Sequence, residues 1–250
     1  MDLAEIKRNW EVYGSTDPLQ AILTIPRQTE VKWDVETFFA TGIVEVNRIM
    51  KRIDSLSILP EHQRALDFGC GVGRLTQPLG AYFGEVVGVD ISSSMIALAK
   101  KLNTSPNCHY KINQRSDLGI FPDNHFDFAI SLITLQHMEP KYAKSYLREV
   151  ARVLRKGGVA YFGVPERLKN LTFYSKTKAR LYYWLAARQH VFPFYRALRN
   201  SKGPVMEMHG IPQVEVERLM SSVGAEVEYI EEASDGGNDW LSYHYCIRKL

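Results

Sequence analysis

The chain has 250 residues, of which 45% are hydrophobic and 24% are charged, and its formal net charge is +3. This composition excludes disordered, collagen-like and low-complexity proteins. No apolar run approaches the roughly 18 residues of a membrane span, and no basic segment followed by an apolar stretch indicates a signal peptide. Three scattered cysteines are too few for a disulfide framework or a metal cage. We therefore expect a soluble, reduced, cytoplasmic protein without a metal.

The first sixty residues predict short helices and turns, because glycine and proline interrupt them repeatedly. Continuous helical spacing of apolar residues begins only in the segment Ile43–Ile58. The stretch is rich in aromatic residues, namely Trp10, Tyr13, Trp33, Phe38 and Phe39.

Strands and helices then alternate along the chain. The predicted strands are Arg64–Phe68, Glu85–Val89, Cys108–Ile112, Phe126–Leu132 and Val159–Val164. The predicted helices are Gly73–Tyr82, Ser92–Lys101 and Lys141–Leu154, the last of them stopped by Lys156-Gly157-Gly158. Such alternation predicts right-handed crossovers and a mostly parallel sheet.

Residues 165–210 predict an insertion after the fifth strand. Between Pro165 and Val205 there are nine basic residues and a single acidic one, Glu166. Aromatic residues lie among the basic ones, at Tyr174, Tyr182, Tyr183, Trp184, Phe192, Phe194 and Tyr195. Such a local concentration of positive charge indicates what the protein binds and says little about its fold.

The remainder, residues 211–250, predicts the last part of the sheet. It contains a helix Val214–Val223, a strand Glu226–Ile230, a turn at Gly236-Gly237 and a strand Leu241–Ile247 that returns antiparallel at the edge. The sequence thus predicts one doubly wound α/β domain over residues 1–250, with a mostly parallel, seven-stranded sheet.

A glycine-rich loop follows the first strand. Its glycines permit a tight turn and a close approach of the backbone to a ligand at a helix N-terminus. A dinucleotide-binding G-x-G-x-x-G motif would need a third glycine where Arg74 stands. The spacing is instead D-x-G-x-G-x-G, given by Asp67, Gly69, Gly71 and Gly73.

This spacing resembles the first motif of the class I methyltransferases that use S-adenosylmethionine. The resemblance covers residues 64–164 strongly and residues 211–250 loosely. It implies a Rossmann-like fold in which Gly69–Gly71 lies against the methionine part of the cofactor, and Asp67 faces its ammonium group. It also implies that Leu154-Arg155-Lys156-Gly157-Gly158 is the family's turn before strand five, with lysine in place of proline.

Further features appear in the order that the resemblance implies. Asp90 ends the second strand, where an acid accepts hydrogen bonds from ribose hydroxyls. The segment Asn113–Leu118 resembles the adenine-side loop, in which Gln114, Ser116 and Asp117 remain alternative contacts to the adenine amine. The complete set predicted to bind S-adenosylmethionine, and its product S-adenosylhomocysteine, is Trp10, Tyr13, Asp67, Gly69, Cys70, Gly71, Gly73, Arg74, Asp90, Ile91, Met95, Asn113, Ser116, Asp117, Leu118 and Leu132.

The resemblance implies methyl transfer to a small molecule, by default to an oxygen nucleophile. His137 follows strand four, where an imidazole could remove the acceptor proton. The alternative is that His137 only hydrogen-bonds its own loop or packs against the adenosine. His209 is a second candidate base. The resemblance also implies that residues 1–60 form a helical lid, although simple packing on the sheet would explain the same aromatic residues.

The acceptor class and two rival functions stay open. The basic aromatic insertion suits a phosphate- or carboxylate-bearing acceptor, a carrier protein, an anionic membrane surface or nucleic acid. Methylation of nucleic-acid amines is disfavoured, because Ser131-Leu132-Ile133-Thr134 stands where those enzymes carry an N/D-P-P-Y/F motif. The rival functions are an oxidoreductase that uses NAD(P) and a cofactor-binding protein without catalysis.

Overall fold

The computed structural model describes residues 2–23, 32–169, 203–237 and 239–250. Its helices are α1 (Leu3–Thr16), α2 (Pro18–Ile22), α3 (Val35–Ser55), α4 (Thr76–Leu79), α5 (Ser93–Leu102), α6 (Pro140–Val153) and α7 (Gln213–Ser222), with a short 3-10 helix at Leu135–His137. Its strands are β1 (Arg64–Phe68), β2 (Glu85–Asp90), β3 (Cys108–Ile112), β4 (Phe126–Ser131), β5 (Leu154–Leu168), β6 (Ala225–Ala233) and β7 (Trp240–Lys249).

Seven strands of the described residues form one sheet in the order β3-β2-β1-β4-β5-β7-β6. The pairs among β1 to β5 are parallel, and β7 pairs antiparallel with both β5 and β6. Strands β2 and β3 lie on one side of β1 in the sheet, and the next strand along the chain, β4, lies on the other side of β1. A crevice outside the carboxyl ends of β1 and β4 is the place where such sheets bind ligands. The predicted fold class is confirmed.

Side chains of successive residues in the central strands pack on opposite faces of the sheet. Phe128 and Tyr161 belong to the apolar cluster that includes residues of α3, whereas Ala129 and Phe162 belong to the cluster that includes residues of α6 and α7. Both faces are therefore covered, as a parallel sheet requires. Among the described residues, no helix has the length and apolar content to cross a lipid bilayer.

Several predicted boundaries are wrong. Helix α3 begins at Val35 rather than at Ile43, because the Asp34 side chain caps it by accepting a hydrogen bond from the Thr37 amide at 2.8 Å. Helix α4 spans only Thr76–Leu79 instead of Gly73–Tyr82, and Gly73 has a φ of +88°, which no α-helix adopts. The first sixty residues thus contain one helix of 21 residues rather than only short ones.

The region around strand five also differs from the prediction. Helix α6 ends at Val153, and strand β5 spans Leu154–Leu168, so the predicted glycine turn lies inside its bounds, where Gly157 has a φ of +72°. A register shift between Phe126 and Phe128 accommodates this extra length against β4. The expected insertion at 165–210 therefore starts inside β5, which pairs with β7 as far as Leu168. Residues 170–202, with most of the basic and aromatic side chains, lie outside the described residues.

Candidate functional site

A cavity with about 740 Å³ of empty space, part of it open to solvent, lies at the carboxyl ends of β1, β2 and β4. Of the residues predicted to act at the site, those that line it are Trp10, Gly69, Gly71, Asp90, Ile91, Asn113, Leu132 and His137. They come from α1 and from the ends of four strands. Residues far apart in the sequence therefore meet at one edge of the sheet.

Positions 69, 71 and 73 of the loop after β1 require glycine. Gly69 and Gly71 have φ values of +78° and +52°, and the Gly69 amide donates to the Val89 carbonyl at 2.8 Å. A Cβ atom at Gly69 would lie 2.2 Å from the Thr134 side chain, and one at Gly73 would lie 2.4 Å from the Tyr110 hydroxyl. The bare glycines let the loop sit against β2 and β4 and expose backbone to the cavity.

The Asp90 carboxylate connects the cavity wall to this loop. One oxygen accepts a hydrogen bond from the Gly71 amide at 2.9 Å, and the other accepts one from the Ser92 amide at 2.9 Å. The pKa of Asp90 is raised because burial outweighs the opposite effect of these two hydrogen bonds. Asp90 therefore stabilises the glycine turn and also lines the cavity.

Asp67 and Arg74 lie beside the loop but do not line the cavity. The buried Asp67 carboxylate accepts a hydrogen bond from the Thr76 hydroxyl at 2.6 Å, and burial raises its pKa to about 7. Burial also lowers the pKa of Arg74, which donates one long hydrogen bond to the Thr41 hydroxyl at 3.5 Å. Both groups lie on the side of the loop that faces α3 and α4.

None of the other predicted residues lines the cavity. Cys70 faces Gly88, while Met95 and Leu118 are fully buried in apolar clusters. Asp117 pairs with Arg115 at 2.7 Å. Tyr13 donates to the Pro204 carbonyl at 3.1 Å, Ser116 is exposed, and the candidate base His209 does not line this cavity.

His137 reaches the cavity from the 3-10 helix and is only 3% exposed. Its Nδ1 lies 2.9 Å from the Glu207 carbonyl oxygen, which can only accept, so we assign the proton to Nδ1. The Nε2 atom then accepts, and the Gln136 side-chain amide nitrogen lies 3.3 Å from it. Burial lowers the pKa of His137 to about 4, so the imidazole is neutral at physiological pH. The Trp10 ring packs edge-on against it, with ring centroids 5.5 Å apart.

Helix α1 closes one side of the cavity and is fastened at two points. The Glu11 carboxylate accepts hydrogen bonds from the Ser93 amide at 2.7 Å and the Ser94 amide at 3.0 Å, at the N-terminus of α5. On the other side, the Asn9 side chain donates to the Val205 carbonyl at 3.0 Å. Gly14 permits the close approach, because a Cβ there would lie 2.2 Å from Ser94 Oγ.

Sequence reasoning missed nine residues of the lining, most of them apolar. These residues are Leu3, Ile6, Ile22, Phe68, Val89, Ile133, Thr134, Met138 and Tyr146. The spacing of Leu3, Ile6 and Trp10 on one face of a helix was a usable signal. The others carry no motif, because an apolar residue at a strand end looks the same whether it faces a cavity or a core.

Ile133 has an unusual backbone conformation within this lining. Its φ is +59°, in the left-handed region that β-branched residues rarely adopt. Such strain costs of order 1–3 kcal/mol and is commonly found at functional sites.

Comparisons with known proteins agree with this geometry. Residues 66–162 match the family model of a methyltransferase domain. A ubiquinone biosynthesis O-methyltransferase from Bradyrhizobium sp. (strain ORS 278) is 36% identical over 152 residues, which cover 60% of this chain and 54% of that protein. Across eight curated relatives, the matched part is between 24% and 56% of their own length, so the chain spans about half or less of each.

Solved structures share the fold. Magnesium protoporphyrin IX methyltransferase from Synechocystis PCC 6803, crystallised with S-adenosylhomocysteine, has a TM-score of 0.65 at 15% identity over 100% of both chains. An S-adenosylmethionine-dependent methyltransferase from Methanosarcina mazei has a TM-score of 0.56 at 27% identity, over 78% of this chain and 95% of that one.

The strand order, the glycine loop and the acid that ends β2 are those of the α/β fold that these methyltransferases share. More particularly, residues 66–162 are similar to the methyltransferase domain family. The resemblance to the enzymes that use S-adenosylmethionine is confirmed.

Proposed function

We propose that this protein transfers a methyl group from S-adenosylmethionine to a hydroxyl oxygen of a small molecule. The observation that carries the proposal is the cavity in which Gly69, Gly71 and Asp90 meet His137. Three curated relatives are named as ubiquinone biosynthesis O-methyltransferases, which supports an oxygen acceptor.

The residues at the cavity fit the cofactor. The Gly69 loop offers backbone to which a methionine part can approach closely, and Asp90 offers carboxylate oxygens to ribose hydroxyls. Ile91 and Asn113, at the ends of β2 and β3, supply the wall on the adenine side. S-adenosylmethionine supplies a methyl group that is already activated on a sulfonium.

The protein's part is positioning and exclusion of water. Apolar side chains of α1 cover the cavity, and Trp10 brings an aromatic face that can attract a sulfonium. We assign to His137 Nε2 the hydrogen bond from the acceptor hydroxyl, which would replace the one from the Gln136 side-chain amide 3.3 Å away. With a pKa of about 4, His137 is a weak base, so this role is chiefly to orient the oxygen and to accept its proton only as the new bond forms.

The experiment is a transfer assay with methyl-labelled S-adenosylmethionine and a panel of phenols, hydroquinones, carboxylic acids and amines. We expect label in hydroxyl-bearing compounds, together with formation of S-adenosylhomocysteine. Label in amines alone would overturn the oxygen assignment.

The rival functions have separate readouts. Binding of S-adenosylhomocysteine without transfer to any member of the panel would favour a non-catalytic cofactor-binding protein. Tighter binding of NAD than of S-adenosylhomocysteine would favour an oxidoreductase. The cytoplasmic location and a contact of residues 165–205 with a membrane or carrier protein stay predictions.

A further inference from the structure

An irregular segment, residues 204–211, which we name the strap, is bonded to two elements of the cavity wall. It forms neither a helix nor a strand, yet all of its residues are at least partly buried. The Tyr13 hydroxyl of α1 donates to the Pro204 carbonyl at 3.1 Å. The Asn9 side chain, one turn earlier in the same helix, donates to the Val205 carbonyl at 3.0 Å. Helix α1 therefore holds the strap through two consecutive carbonyls.

Further along, the strap is bonded to the 3-10 helix that carries His137. The Glu207 carbonyl accepts a hydrogen bond from His137 Nδ1 at 2.9 Å. Two residues later, the His209 amide donates to the Gln136 carbonyl at 2.8 Å. The strap therefore links the helix that covers the cavity to the histidine in its wall.

Asn9 is a polar residue at a position of α1 that is almost as buried as the core. Ile6 and Asn9 are only 2% and 4% exposed. Asparagine forms helices less readily than leucine or alanine, and a buried amide costs free energy unless it is hydrogen-bonded. An apolar residue would avoid both costs. What asparagine provides is the hydrogen bond to the Val205 carbonyl, so we place its role at the strap.

The strap determines which nitrogen of His137 carries the proton. In a neutral imidazole the position of the proton is set by the hydrogen bonds of the two nitrogens. The Glu207 carbonyl requires a donor at Nδ1, whereas the Gln136 amide near Nε2 can present either its nitrogen or its oxygen. Only Met206 separates Glu207 from the residue whose carbonyl Asn9 binds, so a shift of one carbonyl moves the other.

We propose that Asn9 is a positioning residue: by holding the strap against α1, it keeps the Glu207 carbonyl on His137 Nδ1 and leaves Nε2 to accept a hydrogen bond from the acceptor hydroxyl. The inference rests on the proposed function for the part that His137 plays in transfer. It assigns to α1 a second task besides covering the cavity, because this helix also sets the tautomer of a residue outside it.

The test is nuclear magnetic resonance of the full chain with nitrogen-15 in its histidine rings, which shows which ring nitrogens carry a proton. The signals of His137 are those that are missing from His137→Ala. In the wild-type protein at neutral pH we expect Nδ1 to be protonated and Nε2 to be bare. Asn9→Leu keeps a helix-forming side chain of similar size but has no donor. We expect it to raise the ratio of the Nε2-protonated to the Nδ1-protonated form about fivefold or more.

Two controls separate the strap from a general loss of stability. Asn107→Leu makes the same change at an asparagine that donates to the Gly80 and Phe83 carbonyls, both at 2.9 Å. Glu11→Gln loosens α1 at its contact with α5 and leaves the bond from Asn9 to the strap in place. We expect both controls to keep the wild-type ratio of tautomers.

Three results would overturn the proposal. The first is an Asn9→Leu variant that folds by circular dichroism and keeps the wild-type ratio. The second is a Glu11→Gln variant that changes the ratio as much as Asn9→Leu does, and the third is a wild-type His137 protonated at Nε2. If Asn9→Leu does not fold, Asn9→Ala is measured against Asn107→Ala in the same way.

Transfer assays distinguish failure of this inference from failure of the proposed function. With an acceptor from the panel, we expect the transfer rate of Asn9→Leu to fall about tenfold and that of Asn107→Leu to stay within about twofold of the wild type. A changed tautomer ratio with an unchanged rate would overturn the positioning role. If the wild-type protein transfers no methyl group while the ratio responds as expected, the proposed function is refuted and the link between Asn9 and His137 stands.

Discussion

Replacing Glu11 by glutamine removes a negative charge from the N-terminus of α5. The wild-type carboxylate accepts hydrogen bonds from the Ser93 amide and hydroxyl, both at 2.7 Å, and from the Ser94 amide at 3.0 Å. A helix cap contributes about 0.5–2 kcal/mol, and hydrogen bonds to a charged group contribute about 1.5–3 kcal/mol. Because glutamine keeps one acceptor oxygen, we expect Glu11→Gln to lower the free energy of unfolding by about 1–2 kcal/mol, or the Tm by about 2–8 °C.

The pH dependence of this effect follows from the pKa of Glu11. Burial alone would raise that pKa, but the hydrogen bonds from Ser93 and Ser94 outweigh it and lower the pKa from 4.5 to about 2. A folded-state pKa below the unfolded one stabilises the protein above the unfolded value, and the stabilisation is lost as the pH falls through the folded value. The Tm difference between wild type and Glu11→Gln should therefore be full at pH 7 and shrink between pH 4.5 and about 2.

The same substitution reports on the site, because α1 carries Leu3, Ile6 and Trp10 on the cavity wall. Loosening α1 should raise the Kd of S-adenosylhomocysteine about threefold to tenfold in calorimetry. Glu5→Gln is the matched control, since Glu5 lies on α1 but bonds to the amide of Asp2 rather than to α5. If Glu11→Gln and Glu5→Gln have the same Tm and the same Kd, the fastening of α1 through Glu11 is refuted.

Three further substitutions and conditions test the site. His137→Ala should lower the transfer rate about a hundredfold or more with little change in the Kd of S-adenosylhomocysteine; an unchanged rate would contradict the role of its Nε2. Because the pKa of His137 is about 4, protonation of this residue should cause no loss of activity as the pH falls from about 8 to 6, and a loss that disappears in His137→Ala would contradict its neutrality. Gly69→Ala should abolish binding of S-adenosylhomocysteine, because its Cβ would lie 2.2 Å from the Thr134 side chain. Gly224→Ala is the control and should bind normally, because a Cβ at position 224 would have no atom within 4 Å. Equal binding by the two variants would contradict the close approach of Thr134 to Gly69.

The sheet could be predicted from the sequence because its signals are local. Strand β1 matches its predicted bounds, Arg64–Phe68, since an apolar run ends at a glycine that must turn. The length of β5 could not be predicted in the same way. Its far end, from Pro165 to Leu168, extends beyond the predicted Val164 because it pairs with β7 as far as Trp240, and no local pattern in the sequence indicates that pairing. Long-range pairing overrides local propensity in this case.

The site was predictable to the extent that a motif specifies backbone geometry. Gly69, Gly71 and Asp90 line the cavity because their spacing along the chain reflects a turn and a strand end. A motif does not predict the direction in which a side chain points. Asp67 bonds to Thr76, and Met95 packs in a core cluster, because neighbours from other elements determine where each side chain has room. The contribution of α1 depends on tertiary contacts such as that of Glu11 with α5, which leave no signature in spacing.

Calorimetric titration with S-adenosylhomocysteine, beside the variant Asp90→Asn, tests whether the protein binds this cofactor through its ribose. We expect saturable binding with a Kd of about 1 μM to 100 μM for the wild type, and a Kd at least about tenfold higher for the variant. Absence of binding by the folded wild-type protein at millimolar ligand, or equal affinity of the two proteins, would contradict this expectation.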